Sequence, residues 1–147
     1  MAGDHLLGFD YGEKTIGVAV GNTHTRQAHP LTTLRVVRGQ PDWGALNALV
    51  EEWRPAALVV GLPLNMDGSD NPVTPAARKF GNRLQGRYNL PVHMVDERLT
   101  TRNARTDLVD AGVSVRHHTA LLDKLAAQTI LQSYLNELPG ADRESGD

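Results

Sequence analysis

The segment HLLGFDYGEKTIGVAVG, residues 5–21, sets a carboxylate between two apolar runs punctuated by Gly8, Gly12 and Gly17. Read by its alternation, it is a β-hairpin: His5 to Phe9 form one strand, Tyr11 to Glu13 the turn, and Thr15 to Val20 the other strand. Two strands joined this closely fix an antiparallel pair at the start of a sheet, and the rest of the chain must pack around it. Asp10 closes the first strand. Strand positions favour β-branched and apolar side chains, and a carboxylate at the rim of a sheet needs a partner. The glycines remove side chains from both arms, so another backbone or a phosphate can approach the main chain closely.

Asp10 followed by Gly12 is also what a turn aspartate capping its own backbone looks like. The segment equally suits a phosphate-binding hairpin of the actin and sugar-kinase type. The bulk properties narrow these options. At 147 residues the chain fits one domain with an adequate core, and 40% hydrophobic residues with a net charge of -2 describe a globular protein. The chain has no cysteine, which excludes disulfides, thiolate zinc sites and cysteine nucleophiles. No apolar run suits a signal peptide or a membrane span, so the expected location is the cytoplasm and no membrane partner is expected. Nucleic-acid binding would have to come from local basic patches and metals.

After a polar turn, Pro30 leads into a third strand, Leu31 to Val37. Asp42 is expected to cap a helix carrying Leu46, Leu49, Val50 and Trp53 at helical spacing, stopped by Arg54-Pro55. Ala57 to Val60 reads as a buried strand. The loop GLPLNMDGSDNPVTP follows, and Thr74 as N-cap with Pro75 at the first helical position starts the next helix. In that helix Ala77, Phe80, Leu84 and Tyr88 form the packing side, and Lys79, Arg83 and Arg87 a basic row that an ordinary solvated face also explains. Val92 to Asp96 is the fifth strand. A helix capped by Thr100 or Thr101 and closed by Gly112 comes next, then a last helix from about Thr119 to Leu138. The order βββαβαβαα predicts an α/β fold with a mixed five-stranded sheet and helices on both faces. Residues 1–138 form the expected domain, and 139–147 a frayed tail.

Two further acids stand out. Alternation along VDERLTT sends Val95 and Glu97 to one face and Asp96 to the other, and Glu97 sits where open sheets place their ligands, beyond the carboxyl end of a strand. In TALLDKLAAQTILQSYL, Asp123 shares its stripe with Ala126, Ala127, Ile130 and Tyr134, an expensive position for an ionised group unless a cation or several donors meet it. An acid satisfied by helix-terminal amides is the plainer alternative for either residue. Asp10, Glu97 and Asp123 together form a candidate catalytic and metal site. An all-oxygen donor set favours Mg²⁺ or Mn²⁺, and such a set suits metal-assisted hydrolysis of phosphodiesters. Asn65, in the glycine-bounded loop, offers an amide to a substrate backbone.

Taken together, GFDYGEKTIGVAVG, VVGLPLNMDG, VDERLTT and LLDKLAAQTILQSYL closely resemble the YqgF/RuvX-like family, described both as Holliday junction resolvases and as pre-16S ribosomal RNA nucleases. The resemblance spans about Leu7 to Leu138. It implies a ribonuclease H-like fold, and the kinship of that scaffold with actin-like proteins accounts for the ambiguity of the opening hairpin. It implies that Asp10, Glu97 and Asp123 are the acidic triad that binds divalent metal. It matches Arg98 and Thr100 to positions flanking the second acid, and Asn65 to the polar loop position. The chain departs from the common pattern where many relatives carry a strongly basic stretch. SVRHHTALLD supplies only Arg116, His117 and His118, and the stretch from Asp70 to Val73 is less charged than expected.

The resemblance therefore implies a metal-dependent endoribonuclease that matures the 5′ end of precursor 16S rRNA, with precursor ribosomal RNA or the pre-ribosomal small subunit as partner. Arg98, Thr100, Arg116, His117, His118, Asn65, Lys79 and Arg83 are the candidate nucleic-acid contacts. A Holliday junction resolvase acting on branched DNA is the nearest alternative, because the same acids would cut either backbone. A non-catalytic ribosome or RNA binding module is another. An actin-like kinase would need two copies of this sheet to close over a nucleotide, more than the chain can hold. A monomer or weak homodimer is expected.

Overall fold

The computed structural model describes residues 4–97 and 115–138, with side chains from 121 onward in the second span. Arg98, Thr100, the helix expected to end at Gly112, the tail from 139, and the side chains of Arg116, His117 and His118 lie outside the described residues.

The opening hairpin forms as β1, His5–Asp10, and β2, Thr15–Asn22, paired antiparallel from His5↔Asn22 to Asp10↔Gly17. β3, Gln27–Val37, continues the meander. It starts four residues earlier than the hydrophobic pattern suggests, and Pro30 lies within it. The register shifts between Val18 and Ala19, which pair with Thr32 and Pro30. A bulge is where a strand tolerates proline. The short β4, Gln40–Pro41, folds back on the end of β3 after a turn in which Arg38 and Gly39 adopt positive φ.

Helix α1, Trp43–Trp53, starts at Asp42, whose carboxylate accepts from the Ala45 amide at 3.1 Å. It ends at Arg54 in the left-handed region, φ 44°. β5, Ala57–Leu62, pairs parallel with β1, and β6, Val92–Asp96, pairs parallel with β5. Between them runs α2, Thr74–Tyr88. Thr74 is not its N-cap. It is a fully buried first helical residue whose hydroxyl donates to the Pro63 carbonyl, while Asn71 Oδ1 accepts from the Val73 amide at 2.8 Å. A buried hydroxyl must find an acceptor, and the nearby carbonyl competes successfully with the capping geometry. The last helix, α3, covers Val115–Glu137, a turn longer than expected.

The sheet thus has six strands among the described residues, order β4-β3-β2-β1-β5-β6, rather than five. The extra one is too short for sequence periodicity to reveal. The mixed α/β architecture with helices on both faces is otherwise as the sequence predicts. Leu7, Phe9, Ile16, Val18, Leu58 and Val60 face α1 and α2, where they join Leu46, Phe80 and Leu84. The alternate residues Leu6, Ala19, Ala57 and Val59 face α3 and meet Ala127, Ile130, Leu131 and Leu135.

Side-chain amides on α3 complete its docking. Gln132 Nε2 donates to the Arg26 carbonyl at 2.7 Å, and its Oε1 accepts from the Ala28 amide at 3.0 Å. Gln128 Nε2 donates to the Ala28 carbonyl at 2.9 Å. The helix therefore occupies backbone groups at the start of β3 and just before it that would otherwise need water. At its far end Arg26 donates to the Leu135 and Leu138 carbonyls at 3.2 and 3.0 Å, satisfying acceptors that a helix terminus leaves over. These contacts set the height and rotation of α3 over the sheet.

Candidate functional site at the carboxyl end of the sheet

β1, β5 and β6 run parallel, so their carboxyl ends share one edge of the sheet. Asp10 ends β1 and is 7% exposed. Its face follows from its neighbours. A Cβ on Gly8 would stand 2.8 Å from Leu131 Cβ of α3, and residues two apart in a strand share a face. Asp10 therefore points to the α3 side, as does Gly17, its partner across the β1–β2 ladder.

Gly17 is where α3 comes closest. A Cβ there would lie 1.8 Å from the Asp123 carbonyl oxygen and 3.1 Å from its Cα, so only hydrogen fits beneath the helix. Two residues earlier on the same face, the Thr15 hydroxyl donates to Asp123 Oδ2. Asp123 lies in the interior of α3, well past its first turn. Helix-terminal amides therefore do not account for it. Thr15 is a residue that the sequence reading did not single out, although its parity with Gly17 and Asp10 was available.

Glu97 follows the end of β6. The Phe9↔Val60 register, continued by one residue, brings Asp10 level with Gly61, which in turn pairs with Val95. The Glu97 side chain folds back over this row. A Cβ on Gly61 would stand 2.6 Å from Glu97 Oε2 and 2.4 Å from Ile130 Cδ1. Gly61 thus cradles a buried carboxylate oxygen on the α3 face, between β1, which carries Asp10, and β6, which Glu97 follows. Asp10, Glu97 and Asp123 reach one face at one end of the sheet. Among the described residues, however, no three Asp, Glu or His side chains are gathered closely enough to form a ready-made metal cage. The donor set is chemically suited to Mg²⁺ or Mn²⁺: carboxylate oxygens and a threonine hydroxyl, with two glycines that let Asp123 and Glu97 pack directly on the strands.

The remaining candidates lie elsewhere. Asn65 is at the exposed loop after β5, but its amide donates to Ser69 Oγ at 3.0 Å and to the Asp70 carbonyl at 3.1 Å. It holds the loop closed. Lys79 and Arg83 are on α2, which covers the opposite face of the sheet, so they do not join the carboxylates. No helix among the described residues is long and apolar enough to cross a membrane.

Comparison with known proteins agrees with this architecture. The chain is 50% identical over 134 residues to a protein of Pseudomonas paraeruginosa named "Putative pre-16S rRNA nuclease", covering 91% of this chain and 93% of the relative. It is 51% identical over 133 residues to a protein of the same name from Nitrosococcus oceani, covering 90% and 86%. Among solved structures, the fowlpox virus resolvase in complex with Holliday junction DNA superposes with TM-score 0.56 at 12% identity, covering 92% of this chain and 99% of that one. Thermus thermophilus RuvC with its Holliday junction substrate superposes with TM-score 0.52 at 16% identity, covering 90% and 93%. At such low identity these two speak for the fold alone. The family model described as "RuvX: Holliday junction resolvase" matches residues 4–137, and the chain belongs to the RuvX family.

Proposed function

We propose that this protein is a metal-dependent endoribonuclease that hydrolyses phosphodiester bonds of precursor 16S rRNA and matures its 5′ end in the cytoplasm. The observation that carries this reading is the convergence at Gly61 and Gly17: Glu97 Oε2 folded over one, Asp123 pressed on the other, and Asp10 beside both. Asp10, Glu97 and Asp123 would hold Mg²⁺ or Mn²⁺. When bound, such a cation supplies Lewis acidity for the attacking water and neutralises charge on the phosphodiester.

The chain's own contributions are positional. Thr15 fixes one carboxylate oxygen of Asp123. Gly17 lets α3 sit low enough to bring that carboxylate to the strand ends. Ile130 packs its Cδ1 against Gly61 beside the Glu97 carboxylate. Arg98, Thr100, Arg116, His117 and His118 are the proposed contacts to substrate phosphates, and Asn65 shapes the loop after β5.

Branched DNA is the second reading, favoured by the description of the family model. Incubating the purified protein and Mn²⁺ with precursor 16S fragments and with four-way junctions chooses between them. Cleavage of the RNA near its mature 5′ end is expected. Symmetrical cutting of the junctions alone would overturn the RNA assignment. Complementation of cells by Asp10→Asn as well as by wild type would instead favour a non-catalytic binding module.

A further inference from the structure

A second surface lies on the other face of the sheet, at the same end. A cavity of about 160 Å³ is lined by Tyr11, Pro41, Ala76 and Phe80, with Lys79 and Arg83 at its rim. Tyr11 directly follows Asp10, so this cavity is separated from the carboxylate face by little more than the thickness of the sheet edge. The rim is organised. Arg83 donates to Gln40 Oε1 at 2.7 Å and lies 5.1 Å from the Trp43 ring centroid. Arg87 lies 4.5 Å from the same centroid and donates to Asn47 Oδ1 at 3.3 Å. Neutral amides and an indole thus hold both guanidinium groups in place without cancelling their charge. The neighbouring Arg78 differs, since it pairs with Asp70 at 2.7 Å. Asp42, the acid closest in sequence to Trp43, is committed to the start of α1.

We propose that this rim and cavity bind two successive phosphates and the nucleoside between them of a single-stranded nucleic acid, beyond the segment that lies at the carboxylates. A guanidinium stacked on an aromatic ring keeps its edge donors for phosphate oxygens, and an aromatic-lined hollow accepts a flat ring without reading its sequence. The volume is well below the roughly 300–1,000 Å³ of sites that enclose a drug-sized ligand. A strand can place one nucleoside in the hollow and a phosphate on each rim cation, whereas a free mononucleotide has a phosphate for only one of them. That the strand is RNA rests on the ribonuclease reading above. That it is a phosphodiester chain does not.

The test is binding of a mixed-sequence 15-nucleotide RNA, and of DNA of the same sequence, in excess EDTA from 50 to 300 mM salt. Each phosphate contact on a single strand contributes about 0.7 to the slope of log affinity against log salt. Lys79→Gln with Arg83→Gln should therefore lower the slope by about 1.4, and Lys79→Arg with Arg83→Lys should restore it. The exposed Lys79→Gln alone should lower it by about 0.7, which keeps the test valid if the double variant folds poorly. Trp43 fluorescence, followed in a Trp53→Phe background, should be quenched by the same titration. Unchanged affinity and slope in both glutamine variants overturn the proposal, as does a Trp43 signal indifferent to RNA and DNA. Failure of the ribonuclease reading has a different signature: no RNA is cut by wild type with Mn²⁺, while the salt slopes still respond to Lys79 and Arg83.

Discussion

A Cβ on Gly17 would stand 1.8 Å from the carbonyl oxygen of Asp123, so the glycine and the helix that carries the acid are fitted to each other along the main chain. The obstructing atom is backbone, which a rotamer change cannot move. Gly17→Ala should push α3 off β2 and cost about 3 kcal/mol or more, at the upper end of overpacking. Urea denaturation measures the loss, and cleavage should fall with it. A variant with wild-type stability and activity would show that α3 need not sit this low.

Thr15 has a narrower role. Its hydroxyl holds one oxygen of Asp123, so Thr15→Val removes a charge-assisted donor from a half-buried carboxylate and should cost about 1–3 kcal/mol in EDTA. Thr15→Ser should restore most of it. As a positioning residue, Thr15 should also weaken Mn²⁺ affinity when replaced by valine and not by serine. Equal metal affinity in both variants would confine it to a structural part.

The docking of α3 on β3 can be tested apart from the site. Gln132→Ala strips partners from the Ala28 amide and the Arg26 carbonyl, which should cost about 1–3 kcal/mol if water does not replace them. Amide exchange at Ala28 should accelerate by a matching factor. Unchanged protection there would mean that β3 does not depend on the helix.

At high pH the phenols should set a limit. Burial holds the Tyr134 phenol above its ordinary 10.0, beside the stacked His93 ring, and burial likewise raises Tyr88. A raised folded-state value favours the neutral phenol in the native protein. This stabilisation is complete below pH 10 and is lost as pH climbs through the raised value. Tyr134→Phe should flatten the alkaline decline of the thermal midpoint, and an unchanged decline would assign it to other groups.

Much of this was legible in the chain because strands and helices announce their faces by period. Asp10 at a strand end, the alternation that parts Glu97 from Asp96, and the cap at Asp42 follow from local rules. What escaped depends on contacts distant in sequence. Gln128 and Gln132 look like a solvent-facing row on α3, yet they bind β3 backbone about a hundred residues away. Thr74 has the composition and place of a cap, and a carbonyl eleven residues earlier takes its hydroxyl instead. The basic row on α2 suited either an ordinary solvated face or a nucleic-acid contact. Its aromatic neighbour Trp43 belongs to another helix, which only the fold brings alongside.

Asp10, Glu97 and Asp123 are proposed to hold a catalytic divalent cation. The most direct test is calorimetric titration of Mn²⁺ into wild type and Asp10→Asn, with cleavage of precursor 16S rRNA measured on the same preparations. Wild type should bind Mn²⁺ and cut the RNA over the same range of metal concentration, with cutting abolished by excess EDTA. Asp10→Asn should lose both while keeping or raising its thermal midpoint, because one of several mutually repelling charges is gone. Full cleavage by Asp10→Asn, or undiminished cleavage by wild type in excess EDTA, would contradict the account.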